Sequence, residues 1–379
     1  MDPLAALPTL QNVDGAQQRE RAIRMMRDNF ALWAQDPATL QERVNRECGL
    51  FPEGQLYPYF LTAIAFTHLA ASEPDNRPAN LKLAAQYLKL GIPVAGKIVN
   101  ARNDDLLNLK DYDRQATTLS TVSIALGLYL RAGGKDPQLS RYHQHINQLL
   151  ADALQRADGA PIHSYPNYSW NYDTVASLYG LRLAPELTPD ISVDSLWKKH
   201  ELWIAKYAFD EATQLPRSVA GFGYSEVPQP PRGCDVLMRV MMLGYLDPAA
   251  SKSLFRNIRP VLERESGAFY GFDEYPPDIH GPEDNDSGPI VMDMGLSATG
   301  LAIGAALATD NDAIADRLCQ QFAFREPLLM MTQYLDLGNI PGAWFWKGVK
   351  INPRYFTGFL FGDAVMFFTV TWAPVGEPG

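Results

Sequence analysis

Two kinds of helical segment alternate along this chain, and this alternation is its most constraining feature. Apolar residues with a 3.6-residue period recur roughly every 25–35 residues, with almost no strand pattern. The predicted segments are 20–34, 56–72, 79–99, 115–132, 137–157, 171–184, 192–209, 233–246, 248–265, 288–309, 311–334 and 356–372. Odd-numbered segments are charged on one face, as in RERAIRMMRDNFALW, whereas even-numbered ones are small and apolar nearly all round, as in TVSIALGLYL. Because a helix that is apolar all round must be buried on all sides, the pattern predicts an all-α (α/α)6 barrel: six helical hairpins forming inner and outer helix rings.

The connections between the segments alternate in the same phase. Even-to-odd connections are mostly short, as in GGKDPQ and LDPAAS, whereas most odd-to-even ones are long and rich in aromatic and acidic residues. Long loops in a compact domain are usually functional, and these all open where the inner helices begin. The site is therefore predicted at that mouth, in a single barrel domain over 1–379 with 1–19 as an N-terminal extension. An irregular α-solenoid is the alternative, and it would not require the long loops to converge.

Composition narrows the class of protein. The 46% hydrophobic and 20% charged residues are typical of a globular chain, and the formal net charge of −10 without basic clusters predicts no nucleic-acid partner. The three cysteines are too scattered for a disulfide or zinc framework. No apolar stretch reaches the roughly 20 residues of a membrane span, so no stable membrane insertion is expected. The chain is predicted to be soluble, and cytoplasmic if its N-terminus is native. A small molecule is the predicted partner, and a homo-oligomer is left open.

Several motifs resemble a known family. They are PNYSWNYDTVASL from Pro166 to Leu178, GLYLRAGG at 127–134, MMLGYLDPAASKSLFRNIRPVL at 241–262 and the late acidic run EDNDSGPIVMDMGLSATGLAIGAAL. Their order and spacing resemble those of the linalool dehydratase/isomerase family over about residues 56–320. The resemblance implies an (α/α)6 barrel and cofactor-independent hydro-lyase or isomerase chemistry.

The chain departs from that family at the positions that carry its chemistry. The resemblance aligns His163 and Tyr172 with the two cysteines thought to act in the type enzyme. Thr121 lies near the place of that enzyme's histidine, on the preceding inner helix. These departures predict a substrate other than linalool.

Asp173 is the first candidate for catalysis. It follows Tyr172 in the first turn of a predicted inner helix, close to Tyr168 and Trp170. A carboxylate among aromatic surfaces loses solvation, which suits it to general acid or base catalysis. Stabilisation of the helix N-terminus by Asp173 is the structural alternative.

A second acidic group lies in the run DNDSGPIVMD. The group consists of Asp284, Asp286 and Asp293. Asp286 precedes a predicted inner helix, and Asp293 is predicted about two turns inside it. We expect a carboxylate from this run to act with Asp173, and pairing with Arg232 or Arg239 is the alternative. The full set of predicted catalytic residues is Asp173, Asp286, His163, Tyr172 and Tyr168.

Other mouth residues are predicted to bind substrate. Asp235 holds the position in its repeat that Asp173 holds in its own, and Arg232 beside it is expected to bind an anion or pair with Asp235. Aromatic side chains on the loops are suited to stacking on sugar or terpene-like faces. The predicted binding residues are Trp170, Asn171, Tyr57, Tyr224, Arg232, Asp235, Tyr275, Asp293 and Trp344. His143 lies on an outer helix and is predicted to face solvent.

Three functions are compatible with these sequence features. The first is a cofactor-independent hydro-lyase or isomerase acting on a small, largely apolar alcohol. The second is a carbohydrate-active enzyme, a glycoside hydrolase or lyase, using the same carboxylates and rings. The third is a non-catalytic binding module. Because GxSxG, Walker A, HExxH and Cys/His zinc patterns are missing from the sequence, no cofactor and no metal are predicted.

Overall fold

The fold is known from a computed structural model. It describes residues 10–49, 51–111, 115–166, 168–183, 186, 189–219, 228–281, 283–284, 287–326 and 352–375. Within these ranges the helices are α1 (Gly15–Trp33), α2 (Pro37–Cys48), α3 (Pro52–Ser72), α4 (Arg77–Ile98), α5 (Ala116–Arg131), α6 (Pro137–Ala157), α7 (Asn171–Arg182), α8 (Val193–Tyr207), α9 (Gly233–Leu246), α10 (Pro248–Leu262), α11 (Leu296–Ala308), α12 (Asp312–Gln320) and α13 (Leu360–Val370). Three short antiparallel hairpins pair β1 (Phe209–Asp210) with β2 (Leu215–Pro216), β3 (Glu263–Ser266) with β4 (Phe269–Phe272), and β5 (Ile290–Val291) with β6 (Met294–Gly295).

Six helices form a closed inner ring. In the order α3, α5, α7, α9, α11 and α13, each packs against the next, and α13 packs back against α3. Outside the ring, α4, α6, α8, α10 and α12 each pack on the inner helix that precedes them in sequence, while α1 packs on α12 and α13. The predicted all-α (α/α)6 barrel is therefore confirmed, because an open solenoid would not return its last inner helix to its first.

Burial explains why each helix takes its place. In α5, every residue from Ala116 to Tyr129 is buried, as its all-round apolar pattern requires. In α6, by contrast, the buried positions include Leu139, His143, Ile146 and Leu150, which follow a helical spacing along one face. The prediction that His143 faces solvent was wrong. It lies in this apolar stripe, and its Nε2 would be 2.9 Å from a Cβ placed on Gly127 of α5.

Some predicted boundaries differ from the structure. Helix α2 was not predicted, although Asp36 caps it by accepting a hydrogen bond from the Thr39 amide at 3.2 Å. Helix α1 begins at Gly15, earlier than predicted. The segment predicted at 288–309 becomes helical only at Leu296, because β5 and β6 occupy the residues before it.

The mouth loops are joined to the ring by repeated backbone hydrogen bonds. The first residue of an inner helix donates its N–H to the mouth loop of the next hairpin: Ala116 to His163 O at 3.1 Å, Asn171 to Ser218 O at 2.9 Å, and Gly233 to Glu274 O at 2.8 Å. These contacts bring successive loops together where the inner helices begin. Among the helices that are described, none is long and apolar enough to cross a membrane.

Candidate active site

One position in every inner helix faces the same cavity. The second residue of each of the six helices lines it, namely Glu53, Thr117, Tyr172, Cys234, Ser297 and Phe361. Because Cα–Cβ bonds tilt toward a helix N-terminus, side chains in the first turn lean into the mouth. Together with its open mouth, the space measures about 630 Å³.

The wall of the cavity changes with depth. Four residues one turn deeper also line it, each the sixth of its helix: Tyr57, Met238, Leu301 and Val365. Tyr57 stacks on Phe361 with ring centroids 5.7 Å apart. Tyr165 and Trp170 add two rings from the loop before α7. The cavity therefore combines a polar rim, aromatic sides and a mainly apolar floor.

Two aspartates occupy equivalent places in neighbouring helices. Asp173 and Asp235 are the third residues of α7 and α9, both are buried, and both line the cavity. Thr117 Oγ1 donates to Asp173 Oδ2 at 2.6 Å. The partial positive charge at helix N-termini favours carboxylates here. Trp170, rather than Asp173, is the N-cap residue of α7.

Asp235 belongs to a buried ion pair. Its Oδ2 accepts hydrogen bonds from Arg239 Nη2 at 2.8 Å and from Ser218 Oγ at 3.0 Å. Burial raises the pKa of Asp235, and these two partners oppose the rise. Sequence reasoning had expected Arg232 to bind an anion or to pair with Asp235. Instead, Arg239, one turn along the same helix, is the partner, because i and i+4 side chains lie on one helix face.

Arg232 lies at the centre of a second buried ion cluster. Its Nε donates to Glu274 at 2.8 Å, and its two Nη atoms donate to Asp284 at 2.6 and 2.8 Å. The guanidinium carbon lies 5.5 Å from the ring centroids of both Trp170 and Tyr275. Arg232 is only 3% exposed. These contacts fix the start of α9 and the Trp170 ring against one another.

Cys234 borders the cavity and is hydrogen-bonded to Glu274. Its Sγ donates to Glu274 Oε1 at 3.0 Å, and its amide donates to Glu274 Oε2 at 3.2 Å. The other two cysteines, Cys48 and Cys319, are buried elsewhere, and burial raises the pKa of each thiol to about 12. Of the three thiols, Cys234 alone lines this cavity among the residues the structure describes.

The structure brings together only some of the predicted site residues. Those that line the cavity are Tyr57, Trp170, Tyr172, Asp173 and Asp235. Three others do not line it and make contacts elsewhere: His163 Nδ1 is 2.9 Å from Ser169 Oγ, Tyr168 OH accepts from Gln229 at 2.7 Å, and Asn171 donates to Arg217 O at 2.7 Å. Three predicted residues, Asp286, Tyr224 and Trp344, lie outside the described residues.

The position predicted for Asp293 was wrong. It lies at the β5–β6 turn before α11, exposed and 4.0 Å from Arg264, because the turn interrupts the expected helix. Tyr275 and Asp293 line a separate cleft with Arg264 and His280. Asp293 is therefore not a carboxylate of the main cavity.

Sequence reasoning missed several lining residues. They are Glu53, Thr117, Cys234, Met238, Ser297, Leu301, Phe361 and Val365. All eight stand at the second or sixth position of an inner helix. Aligning the six helix starts would have found them, but the starts of α3, α11 and α13 were misplaced by several residues. Glu53 precedes the predicted start of its helix, although it is 7% exposed and borders the cavity.

Fold and site together define an (α/α)6 barrel whose mouth holds an acidic cavity lined by aromatic rings. No protein-family model matches the chain, and no curated protein matches it. The resemblance to the linalool dehydratase/isomerase family therefore remains a prediction from the motifs. Among solved structures, a family 105 glycoside hydrolase from C. acetobutylicum ATCC 824 is similar over 80% of this chain and 99% of its own. The identity is 11% and the TM-score 0.36, so this similarity does not bear on the chemistry of the cavity. Within the described ranges, no group of three or more His, Cys, Asp or Glu is arranged to hold a metal ion.

Proposed function

We propose that this protein is an acid–base enzyme acting on a hydroxylated substrate of the carbohydrate class, as a glycoside hydrolase or lyase with one barrel domain. One observation carries the proposal: Glu53 and Asp173 line a single cavity together with the rings of Trp170, Tyr172 and Phe361. Carboxylates exchange protons with hydroxyl and glycosidic oxygens, and aromatic faces stack on sugar rings. This pairing differs from the predicted one of Asp173 with a carboxylate of the 284–293 run, whose predicted catalytic residue, Asp286, lies outside the described residues.

The two carboxylates have complementary roles in bond cleavage. In hydrolysis, one carboxylic acid protonates the glycosidic oxygen as its bond to the anomeric carbon breaks. The other carboxylate either removes a proton from the attacking water or attacks the anomeric carbon itself. Glu53 on α3 and Asp173 on α7 are separated in the ring by α5, whose Thr117 holds Asp173. This arrangement supports a substrate bound between them.

Asp235 is less suited to proton exchange. Protonation would remove the negative charge that Arg239 faces at 2.8 Å, and Arg239 is itself only 3% exposed. An uncompensated buried charge costs on the order of 3–5 kcal/mol. We therefore assign proton transfer to Glu53 and Asp173.

A hydro-lyase or isomerase acting on a small alcohol is the second candidate. Met238, Leu301 and Val365 support it, because they give the floor of the cavity an apolar character. Here one carboxylic acid would protonate the leaving hydroxyl while a carboxylate takes a proton from the neighbouring carbon. The aromatic rings would shield the positive charge that develops.

A substrate screen with matched variants tests the proposal. Wild type, Asp173→Asn and Glu53→Gln are assayed on α- and β-linked 4-nitrophenyl glycosides, on oligosaccharides for new reducing or unsaturated ends, and on small terpene-like alcohols for alkene release. We expect turnover of a glycoside, reduced at least 100-fold in each variant. Alkene release without glycoside turnover would favour the second candidate. If no substrate reacts and Asp173→Asn only lowers the melting temperature, the protein is a binding module and both catalytic hypotheses are wrong.

A further inference from the structure

Asp235 has one carboxylate oxygen to which none of the described residues donates a hydrogen bond. Both donors, Arg239 and Ser218, bind Oδ2. Its Oδ1 is buried and has no hydrogen-bond partner among the residues that the structure describes. Buried polar atoms are nearly always paired, and a buried acceptor without a partner costs about 1–3 kcal/mol. Asp235 as a whole is 6% exposed and borders the cavity.

The pattern around Asp235 limits what can bind there. A carboxylate oxygen beside a guanidinium accepts hydrogen bonds, so the group that meets it must be a donor. The charge of Asp235 is balanced by Arg239 in the same pair, so the complementary donor is neutral. An ether, a carbonyl or an apolar group would leave Oδ1 unsatisfied.

We infer that Asp235 is a specificity-determining residue, whose Oδ1 accepts a hydrogen bond from a second substrate hydroxyl, apart from the oxygen at the reacting bond. The inference rests on the proposed function and deepens it, since it requires a substrate with at least two hydroxyl-bearing positions, as in a sugar or cyclitol. Asp235 is the third residue of α9, next in the ring to α7, which carries Asp173. The second hydroxyl therefore lies toward the α9 side of the site.

Single-hydroxyl deletion tests this assignment. D-glucose, D-galactose, D-mannose, D-xylose and myo-inositol are titrated into wild-type protein by calorimetry, followed by the monodeoxy analogues of the tightest binder. Loss of one particular hydroxyl should weaken binding about 10–100-fold, the range expected for a hydrogen bond to a charged group. In Asp235→Asn the parent sugar should bind weakly, and deletion of that same hydroxyl should then cost less than about threefold. The same loss is expected in KM for the matching glycoside, with a smaller effect on kcat.

Asp273→Asn is the matched control. Asp273 is also buried and ion-paired, but both of its oxygens accept from Arg264 at 2.7 Å, and it does not line the cavity. This variant should retain the full penalty for the missing hydroxyl. If Asp235→Asn fails to fold because Arg239 loses its partner, Asp235→Asn combined with Arg239→Gln replaces the ion pair with two amides and gives the same readout.

The outcomes separate this inference from the proposed function. If the wild type turns over a glycoside while Asp235→Asn keeps the full deletion penalty, the inference is overturned and the proposed function stands. If Asp235→Asn loses kcat instead of affinity, Asp235 transfers protons and the inference is again overturned. If the wild type binds none of the sugars and cleaves no glycoside, both fail.

Discussion

Thr117 on α5 donates a 2.6 Å hydrogen bond to the carboxylate of Asp173 on α7, joining two neighbouring inner helices at the edge of the cavity. Both side chains are buried. The contact orients the carboxylate that we place at the centre of catalysis, because it fixes one of its two oxygens. The role proposed for Asp173 therefore depends on a residue that is 56 positions away in the sequence.

The first prediction concerns that hydrogen bond. Thr117→Val keeps the shape of the side chain and removes the donor, so kcat/KM on the glycoside found in the screen should fall about tenfold. Thr121→Val is the control, since Thr121 Oγ1 donates only to the Thr117 carbonyl at 2.8 Å and does not line the cavity. Equal rates for the two variants would contradict the assigned role of Thr117.

The second prediction concerns the Arg232 cluster. Arg232→Met leaves the wholly buried carboxylate of Glu274 without its guanidinium partner, so the free energy of unfolding should fall by about 3–5 kcal/mol. Adding Glu274→Gln should restore part of that loss, because the uncompensated charge is removed. Both values come from denaturant unfolding. Arg264→Met, whose side chain is 36% exposed, should cost less. A loss below about 1 kcal/mol in Arg232→Met would count against the cluster as a structural element.

The third prediction is a pH dependence of stability. Burial lowers the pKa of His68 to about 3, and neither ring nitrogen has a hydrogen-bond partner among the described residues. In the unfolded state His68 binds a proton near pH 6.5, whereas in the folded state it stays neutral at that pH. The stability present above pH 6.5 is therefore lost as the pH falls toward the folded-state pKa. Burial also lowers the pKa values of His143 and His200 to about 4, which adds to the effect.

His68→Phe tests the largest of these three contributions. The ring stacks on Phe368 at 6.1 Å, so a phenyl ring retains the contact. Between pH 7.5 and 5.0, the free energy of unfolding should fall less in His68→Phe than in wild type, by about 2 kcal/mol. Urea titrations at the two pH values measure the difference. His280→Phe, at an exposed loop position, should behave like the wild type. Identical pH slopes for wild type and His68→Phe would show that His68 is protonated in the folded state.

The fourth prediction concerns how closely the inner helices approach. A Cβ on Gly180 of α7 would lie 2.4 Å from Ser123 Oγ and 3.0 Å from Ser123 Cβ of α5. Gly180→Ala should therefore destabilise the fold by about 1–3 kcal/mol in spite of its better helix propensity. At Gly300 of α11, the nearest atom to such a Cβ is the flexible Met366 Cε at 3.3 Å. Gly300→Ala should be tolerated in the same thermal unfolding experiment. If Gly180→Ala is tolerated as well as Gly300→Ala, Ser123 moves aside and the close approach of the two helices does not limit this position.

Much of the architecture could be predicted from the sequence, because burial leaves a local pattern. The all-round apolar run of α5 and the one-sided pattern of α6 assign these helices to the inner and outer rings before any contact is known. His143 followed the same rule, since it lies on the stripe of Leu139, Ile146 and Leu150, and judging it by its polarity alone led to the wrong prediction. The Asp293 prediction failed because Met292 and Asp293 have positive φ angles in a two-residue hairpin turn, which the apolar pattern of the segment does not reveal.

The sequence by itself determined the alternation of helix types, the end of the barrel where the long loops meet and the candidacy of Asp173 and Asp235, since each depends on residues close together in the chain. Only the tertiary structure decided which acidic side chains share the cavity. Ring closure brings Glu53 from α3 into the same cavity as Asp173 from α7. Arg239 forms an ion pair with Asp235, and Arg232 forms ion pairs with Glu274 and Asp284. The physical reason is that partners in a buried site are set by the registers of six separate helices, and those registers depend on packing between segments far apart in the chain.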